Sequence, residues 1–199
     1  MPLKKKLNAI DRRKQILKCA VKAFARSNYK ATRVADIAQK VGISEAAIYK
    51  YFAKKEEIYL EILEHISERV KNIWDEEYKR FDNILDVIRA MAMSYYFRMI
   101  NHPDELKLQF QAISEVDSPS IAKRLHSDHE YFLRYFVKIL KLGKKQGTIR
   151  KDLDVNTIAW LFDSVGMMIS MARILKFEKE YGEKEVRKVV EHVINSIRA

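Results

Sequence analysis

The sequence predicts an all-α protein, and three observations carry that prediction. No stretch alternates apolar and polar residues for long enough to make a half-buried strand. Only five glycines and three prolines interrupt 199 residues, so turns are few. Apolar residues recur instead three and four apart, the spacing that lines one face of a helix. A chain of this length buries a sizeable core and holds one or two domains.

Each element has its own signal. Asn8 is placed to cap a first helix, with Asp11 three residues on as a partial capping box. Leu17, Ala20, Val21, Phe24 and Ala25 form its apolar face. Ser27-Asn28-Tyr29-Lys30 ends it, and Asn28 can take the left-handed cap conformation. Thr32 reads as the cap of a short second helix with Val34, Ile37, Ala38 and Val41 inward, broken by Gly42. Ser44 caps a third, with Ile48 and Phe52 inward. A fourth runs from near Lys55 to about Arg80 on Leu63, Ile66, Val70, Ile73 and Trp74. A helix over 82–101 stops at His102-Pro103, because the residue before proline avoids the α region. A shorter one covers about 104–115. Ser118-Pro119 supplies a cap and a first helical residue for a helix to about Leu142, with Gly143 and Gly147 in the loop behind it. Asp154 caps a helix to about Phe177. The last helix, Glu183 to Arg198, carries the stripe Val186, Val189, Val190, Val193, Ile194 and Ile197.

Charge is unevenly spread. Residues 1–55 hold fifteen Lys and Arg against three Asp and Glu, while the whole chain is +11. The excess therefore sits on the first quarter, which suits a nucleic-acid or anionic-membrane partner for that quarter alone; a solvated basic surface is the plain alternative. The single cysteine, Cys19, excludes an internal disulfide framework. No apolar core follows the N-terminal charges as in a secretory leader, and no apolar run approaches a membrane span. A cytoplasmic protein with no membrane partner is expected. No phosphate-binding loop, nucleophile elbow or H-E-x-x-H motif is present, so no enzyme activity, catalytic residue or cofactor is expected. His126 and His129 are three apart, but no third metal ligand accompanies them, and no metal is expected.

Val41-Gly42-Ile43-Ser44 joins the second and third helices as helix, glycine turn, helix. In a helix-turn-helix the second of these helices enters the major groove with its N-terminal residues toward the base edges. Its outward residues here are Glu45, Ala46, Ala47, Tyr49 and Lys50. Two alanines let a helix backbone approach the groove floor, and a methyl can touch a thymine methyl. Glu45 can accept from a cytosine amino group, and the hydroxyls of Ser44, Tyr49 and Tyr51 can reach phosphates or base edges. Lys54 and Lys55 stand at the start of the fourth helix, where the macrodipole disfavours cations; DNA phosphate at that helix start would offset this. Thr32 and Arg33 would hold the backbone on the other side, and Lys4-Lys5-Lys6 would add a loose electrostatic contact.

The run KCAVKAFARSNYKATRVADIAQKVGISEAAIYKYFAKKEEIY resembles the N-terminal domain of TetR-type transcriptional regulators. The matching positions are the aromatic Phe24, then Thr32, Asp36-Ile37-Ala38, Val41-Gly42-Ile43-Ser44, Ile48-Tyr49, Tyr51-Phe52 and Lys55-Glu56-Glu57. Two positions depart from the family pattern: Arg33 stands where a second threonine is common, and Ser27-Asn28 replaces the usual glycine. The resemblance covers about the first sixty residues. It implies an all-helical homodimer that binds operator DNA and is usually a repressor released by a small molecule. The corresponding division is a DNA-binding domain over 1–54 and an effector-binding and dimerisation domain over 55–199, bridged by the fourth helix. A nonspecific, architectural DNA-binding protein without an effector is the rival reading.

In the remaining chain an adaptable aromatic and methionine set suits an effector cavity: Met91, Tyr95, Tyr96, Met99, Phe110, His129, Phe132, Phe136, Trp160 and Met167. An apolar or aromatic ligand is expected there, with an ordinary core as the competing account. The near-uniformly apolar segment around Phe162, Gly166 and Ser170, with Val186, Val190, Val193 and Ile197, reads as a dimer surface built from two helices of each subunit.

Overall fold

Asn8 opens the first helix: its Oδ1 accepts the Asp11 backbone N–H at 2.8 Å, satisfying a donor that a helix start cannot satisfy itself. In the computed structural model, which describes residues 8–199, the helices are α1 (Ala9–Arg26), α2 (Val34–Val41), α3 (Glu45–Ile48), α4 (Lys55–Arg80), α5 (Ile84–Asn101), α6 (Pro103–Ile113), α7 (Pro119–Gln146), α8 (Val155–Ile174) and α9 (Glu183–Ile197). No strand occurs among the described residues, only an isolated bridge between Ile149 and Arg198. The class is all-α, with an N-terminal helix-turn-helix followed by a larger helical domain. Lys4, Lys5 and Lys6 lie outside the described residues.

Four local expectations are corrected. Asn28 does not take the left-handed conformation; its Oδ1 instead accepts the Ala31 N–H at 2.7 Å, and Ser27 closes α1. Thr32 does not cap α2. Arg33 occupies that position, and the Asp36 carboxylate reaches back to the Arg33 N–H at 2.8 Å. Ser44 does cap α3, its Oγ accepting the Ala47 N–H at 3.2 Å, but the regular helix is only four residues long and turns follow through Tyr51. Gly143 lies inside α7 and not in a loop. A Cβ added there would stand 2.4 Å from Ile149 Cδ1 and 3.0 Å from Ile84 Cγ2. The glycine is required by this close approach, a tertiary cause that local pattern does not display. Gly42, by contrast, is the left-handed terminator of α2, at φ 78°.

The chain packs as two compact units. The first runs through Ile66 and takes in Lys107–Arg124; the second comprises Ser67–Leu106 and Leu125–Ala199. Packing thus divides α4 near its middle, beyond the point where the basic charge ends. The first core is built on Ile16, Phe24, Ile37, Ile48, Phe52, Tyr59 and Ile62, with the Phe24 and Tyr59 rings edge to face at 5.0 Å. In the second, α5 packs on α8 and α9, and Trp74, Val87, Leu140, Ile149, Val186, Ile194 and Ile197 are buried together. The valine stripe of α9 therefore finds its partner within its own chain.

Among the described residues one helix, Val155–Ile174, is long and apolar enough to cross a membrane by length and composition, contrary to the sequence reading. Its Asp163 and Ser170 side chains are bonded to His129 and Tyr95 within the second unit.

Gly143→Ala is expected to destabilise the protein by about 1–3 kcal/mol by overpacking, although alanine is the better helix former. Urea unfolding measures the loss. Adding Ile149→Val, which removes the nearest atom, should recover part of it.

Candidate functional site

The α2-turn-α3 segment is held by groups that face away from it. Arg13 on α1 donates from Nε to Glu61 Oε1 at 3.0 Å and from Nη2 to Glu57 Oε1 at 3.2 Å, both on α4. Its Nη1 donates to the Tyr51 carbonyl oxygen, and its Nη2 also pairs with Glu61 Oε2. The guanidinium carbon lies 4.0 Å from the centre of the Phe52 ring. Its hydrogen bonds to Glu61, then Glu57, raise its pKa further. One side chain therefore ties α1, the end of the recognition turn and α4 together. In the sequence nothing separates Arg13 from Arg12 and Lys14, so it was missed.

Lys55 answers to the same logic and departs from its expected role. Its Nζ donates to the carbonyl oxygens of Tyr29 at 2.8 Å and Thr32 at 3.0 Å and lies 4.5 Å from the Tyr29 ring centre. Burial lowers its pKa. The cation is tolerated at the start of α4 because it has three-dimensional acceptors in the loop between α1 and α2. It is therefore engaged inside the unit, not free for phosphate. Thr32 is likewise buried, with its hydroxyl donating to the Asn28 carbonyl at 2.7 Å. Lys54 remains exposed and pairs with Glu56 at 2.5 Å.

Most of the other groove candidates are exposed. Arg33, Ser44, Glu45, Ala46, Tyr49, Lys50 and Lys54 are exposed, while Ala47 and Tyr51 are half-buried. Tyr49 is 48% exposed, unusual for a large ring in a packed unit. Its hydroxyl lies 3.5 Å from Glu45 Oε1, so the two side chains lie along one side of α3.

Behind this surface, the Tyr59 hydroxyl donates to the Leu108 carbonyl at 3.2 Å, Gln111 Nε2 to the Ser27 carbonyl at 3.0 Å, and Lys30 pairs with buried Glu115 at 3.5 Å. Glu56 accepts from Ser118 Oγ at 2.6 Å and from Ser120 Oγ. The bond from Lys54, then those from the two serines, hold its carboxyl down at about 2.

In the second unit a cavity of about 60 Å³ is lined by Trp74, Ile88, Met91, Ala92, Tyr95, Phe136, Phe162, Val165, Gly166, Ile169, Val190 and Val193. Of the expected pocket residues, Met91, Tyr95 and Phe136 line it. The others stand elsewhere. Trp160 is 59% exposed on the outer side of α8. Met99 is buried away from the lining, Phe132 packs on Trp74 at 5.1 Å, and Phe110 belongs to the first unit. Tyr96 and Met167 are half-buried outside the lining. His129 Nδ1 lies 3.3 Å from Asp163 Oδ1, which raises the histidine pKa. No group of three potential metal ligands occurs among the described residues.

The expected dimer residues are also redistributed. Phe162, Gly166, Val190 and Val193 line the cavity, Ser170 shares a 2.9 Å bond with the Tyr95 hydroxyl, and Val186 and Ile197 are core. The sequence of α8 is apolar nearly all round, so periodicity sets no phase; tertiary packing turns Phe162, Val165 and Ile169 inward and Trp160, Met168 and Met171 outward.

An all-helical chain presenting the N-terminus of a short second helix from a basic unit is a helix-turn-helix DNA-binding protein. Comparison with known proteins narrows the class. The profile described as "Bacterial regulatory proteins, tetR family" matches residues 16–62. The HTH-type transcriptional regulator YhgD of Bacillus subtilis is 28% identical over 174 residues, 87% of each chain. The transcriptional repressor KstR2 of Mycobacterium tuberculosis is 26% identical over 152 residues, 74% of each. A regulator from Saccharomonospora viridis, solved in complex with choline, shares the fold with a TM-score of 0.81 at 21% identity, over 96% of this chain and 99% of that one. Residues 16–62 thus match the TetR-family DNA-binding region, and most of the chain is similar to TetR-type transcriptional regulators.

Glu56 makes acid stability testable. Its folded pKa lies below the ordinary 4.5, so its contribution is complete above about pH 5 and is lost as pH falls toward 2. Urea midpoints measured across that range should fall more steeply for the parent than for Glu56→Gln.

Proposed function

We propose that the chain is a repressor that binds a near-palindromic operator as a homodimer and leaves it when a small, largely apolar molecule enters the cavity of the second unit. The observation that carries this reading is the solvent-facing set Ser44, Glu45, Ala46, Tyr49 and Lys50 on and beside α3, with exposed Arg33 at the start of α2, on the one strongly basic part of the chain. Arg33 and Lys54 suit phosphates, which set orientation, while Glu45, Ala46, Ala47 and Tyr49 suit base edges, which set sequence. Thr32 and Lys55 act by holding this surface. Lys50 and Tyr51 flank it.

The dimer reading rests on α8. Trp160, Leu161, Met168 and Met171 are 37–59% exposed on its outer side, and Leu175, just past its end, is 57% exposed. A monomer rarely leaves so many large apolar side chains together in water. Two-fold symmetry would place two recognition helices on successive major grooves. A transcriptional regulator of this kind works in the cytoplasm, where its DNA is.

The cavity reading is supported by the near-absence of polar wall groups and by its location among α4, α5, α7, α8 and α9. The Saccharomonospora viridis relative in fold holds choline, which supports a ligand-binding role for this domain. Coupling needs only that the ligand prefer one of two arrangements. Helix α6 belongs to both units: Leu108 and Gln111 are bonded within the first and Glu105 within the second.

Selection of bound sequences from random duplex DNA at physiological salt should enrich an inverted repeat. Tyr49→Ala should then relax preference at one or two half-site positions, while Arg33→Ala weakens all sequences alike. Binding without an enriched motif would favour an architectural role. Met171→Glu should give a monomer by sedimentation and cost operator affinity at least about tenfold.

A further inference from the structure

Arg98, on α5, is buried more deeply than any other arginine among the described residues and is short of partners. Its side chain is 3% exposed, and Nη2 donates to Glu105 Oε2 at 2.7 Å. Nε and Nη1 have no hydrogen-bond partner and no contact with solvent. A guanidinium offers five N–H groups, so most of its capacity is unused where unused capacity is costly. Charge is also unbalanced. Glu105 is shared with Arg69, whose Nη2 donates to Oε1 at 2.6 Å. Two guanidiniums thus face one carboxylate, and burial works against the charge on Arg98.

The register of α5 connects this group to the cavity. Ile88, Met91 and Tyr95 line the wall, and Arg98 follows one turn beyond Tyr95 on the same helix face. Tyr95 turns its hydroxyl to Ser170 and offers Arg98 no hydrogen bond. One turn past the cavity wall, α5 thus carries a desolvated cation that shares its one carboxylate, Glu105, with a second arginine.

We propose that the effector is an amphipathic monocarboxylate, its hydrocarbon part against Trp74, Phe136 and Phe162 and its carboxylate on the Nε and Nη1 of Arg98. This rests on the reading of the cavity as the effector site and goes beyond it in naming the head group. Charge-assisted bonds in a dry site are among the strong ones. The carboxylate would compete with Glu105 for the guanidinium, and Glu105 lies at the start of α6. The cavity of about 60 Å³ must widen to admit such a chain, which gives the ligand a preference between two arrangements.

Calorimetric titration of the full chain at pH 7 with octanoate and with 1-octanol tests this directly. Octanoate should bind at least about tenfold more tightly than octanol, and Arg98→Met should weaken octanoate by about tenfold or more while leaving octanol within about twofold. Octanol binding as tightly as octanoate, or octanoate indifferent to Arg98→Met, overturns the carboxylate proposal and leaves the apolar cavity standing. Failure of both ligands to bind overturns the cavity reading as well. If Arg98→Met does not unfold cooperatively, the comparison of octanoate with octanol on the parent protein decides alone.

Discussion

The first unit depends on the Arg13 guanidinium. A regular helix of four residues cannot hold its own conformation, since nucleation alone costs more than so few bonds return. Helix α3 must therefore be positioned from outside. Arg13 does this at its C-terminal end, through the Tyr51 carbonyl and the Phe52 ring, and fastens the same group to Glu57 and Glu61 of α4. Lys55 fastens the other side by gathering the carbonyls between α1 and α2. The segment around α3 is thus tied to α1 and α4 by two cations whose hydrogen bonds are made inside the unit.

That division changes how the basic charge is understood. Net charge describes long-range attraction to a polyanion, and every Lys and Arg of the first quarter adds to it. Short-range roles differ. Arg13 and Lys55 spend their hydrogen bonds inside the unit, whereas Arg33, Lys50 and Lys54 are solvent-exposed, with only the local partners Asp36 for Arg33 and Glu56 for Lys54. Only a cation free to move its hydration shell onto a phosphate is available for a direct contact.

Much of this fold was legible because it is written locally. Caps such as Asn8, Ser44 and Asp154, the stop at His102-Pro103 and the turn at Gly42 act within a few residues, and they placed most helices within a few positions. The failures share a cause. Gly143 reads as a breaker until Ile149 is seen against it; Asn28 has its own Ala31 amide to satisfy. Lys55 is a misplaced charge until the Tyr29 and Thr32 carbonyls surround it. In each case the deciding partner is remote in sequence or one of several local choices. Arg13, equally dependent on distant carboxylates, gave no signal at all.

Helix α8 presents the limit of periodicity in its sharpest form. A stripe has a phase only when polar residues mark its back, and α8 has few. Both of its faces are apolar, and the sequence supplied the inventory of pocket and surface residues while exchanging their places. The physical consequence reaches beyond assignment. Phe162, Val165 and Ile169 wall the cavity while Trp160, Met168 and Met171 stand on the opposite side of the same rigid rod. A ligand that pushes the inner residues must displace or rotate the outer ones, because close-packed side chains transmit strain instead of absorbing it. If the outer side is the subunit contact, cavity occupancy and subunit geometry are two readings of one helix position. The lack of polar marking that hides the phase of α8 is then the property that lets it serve both faces.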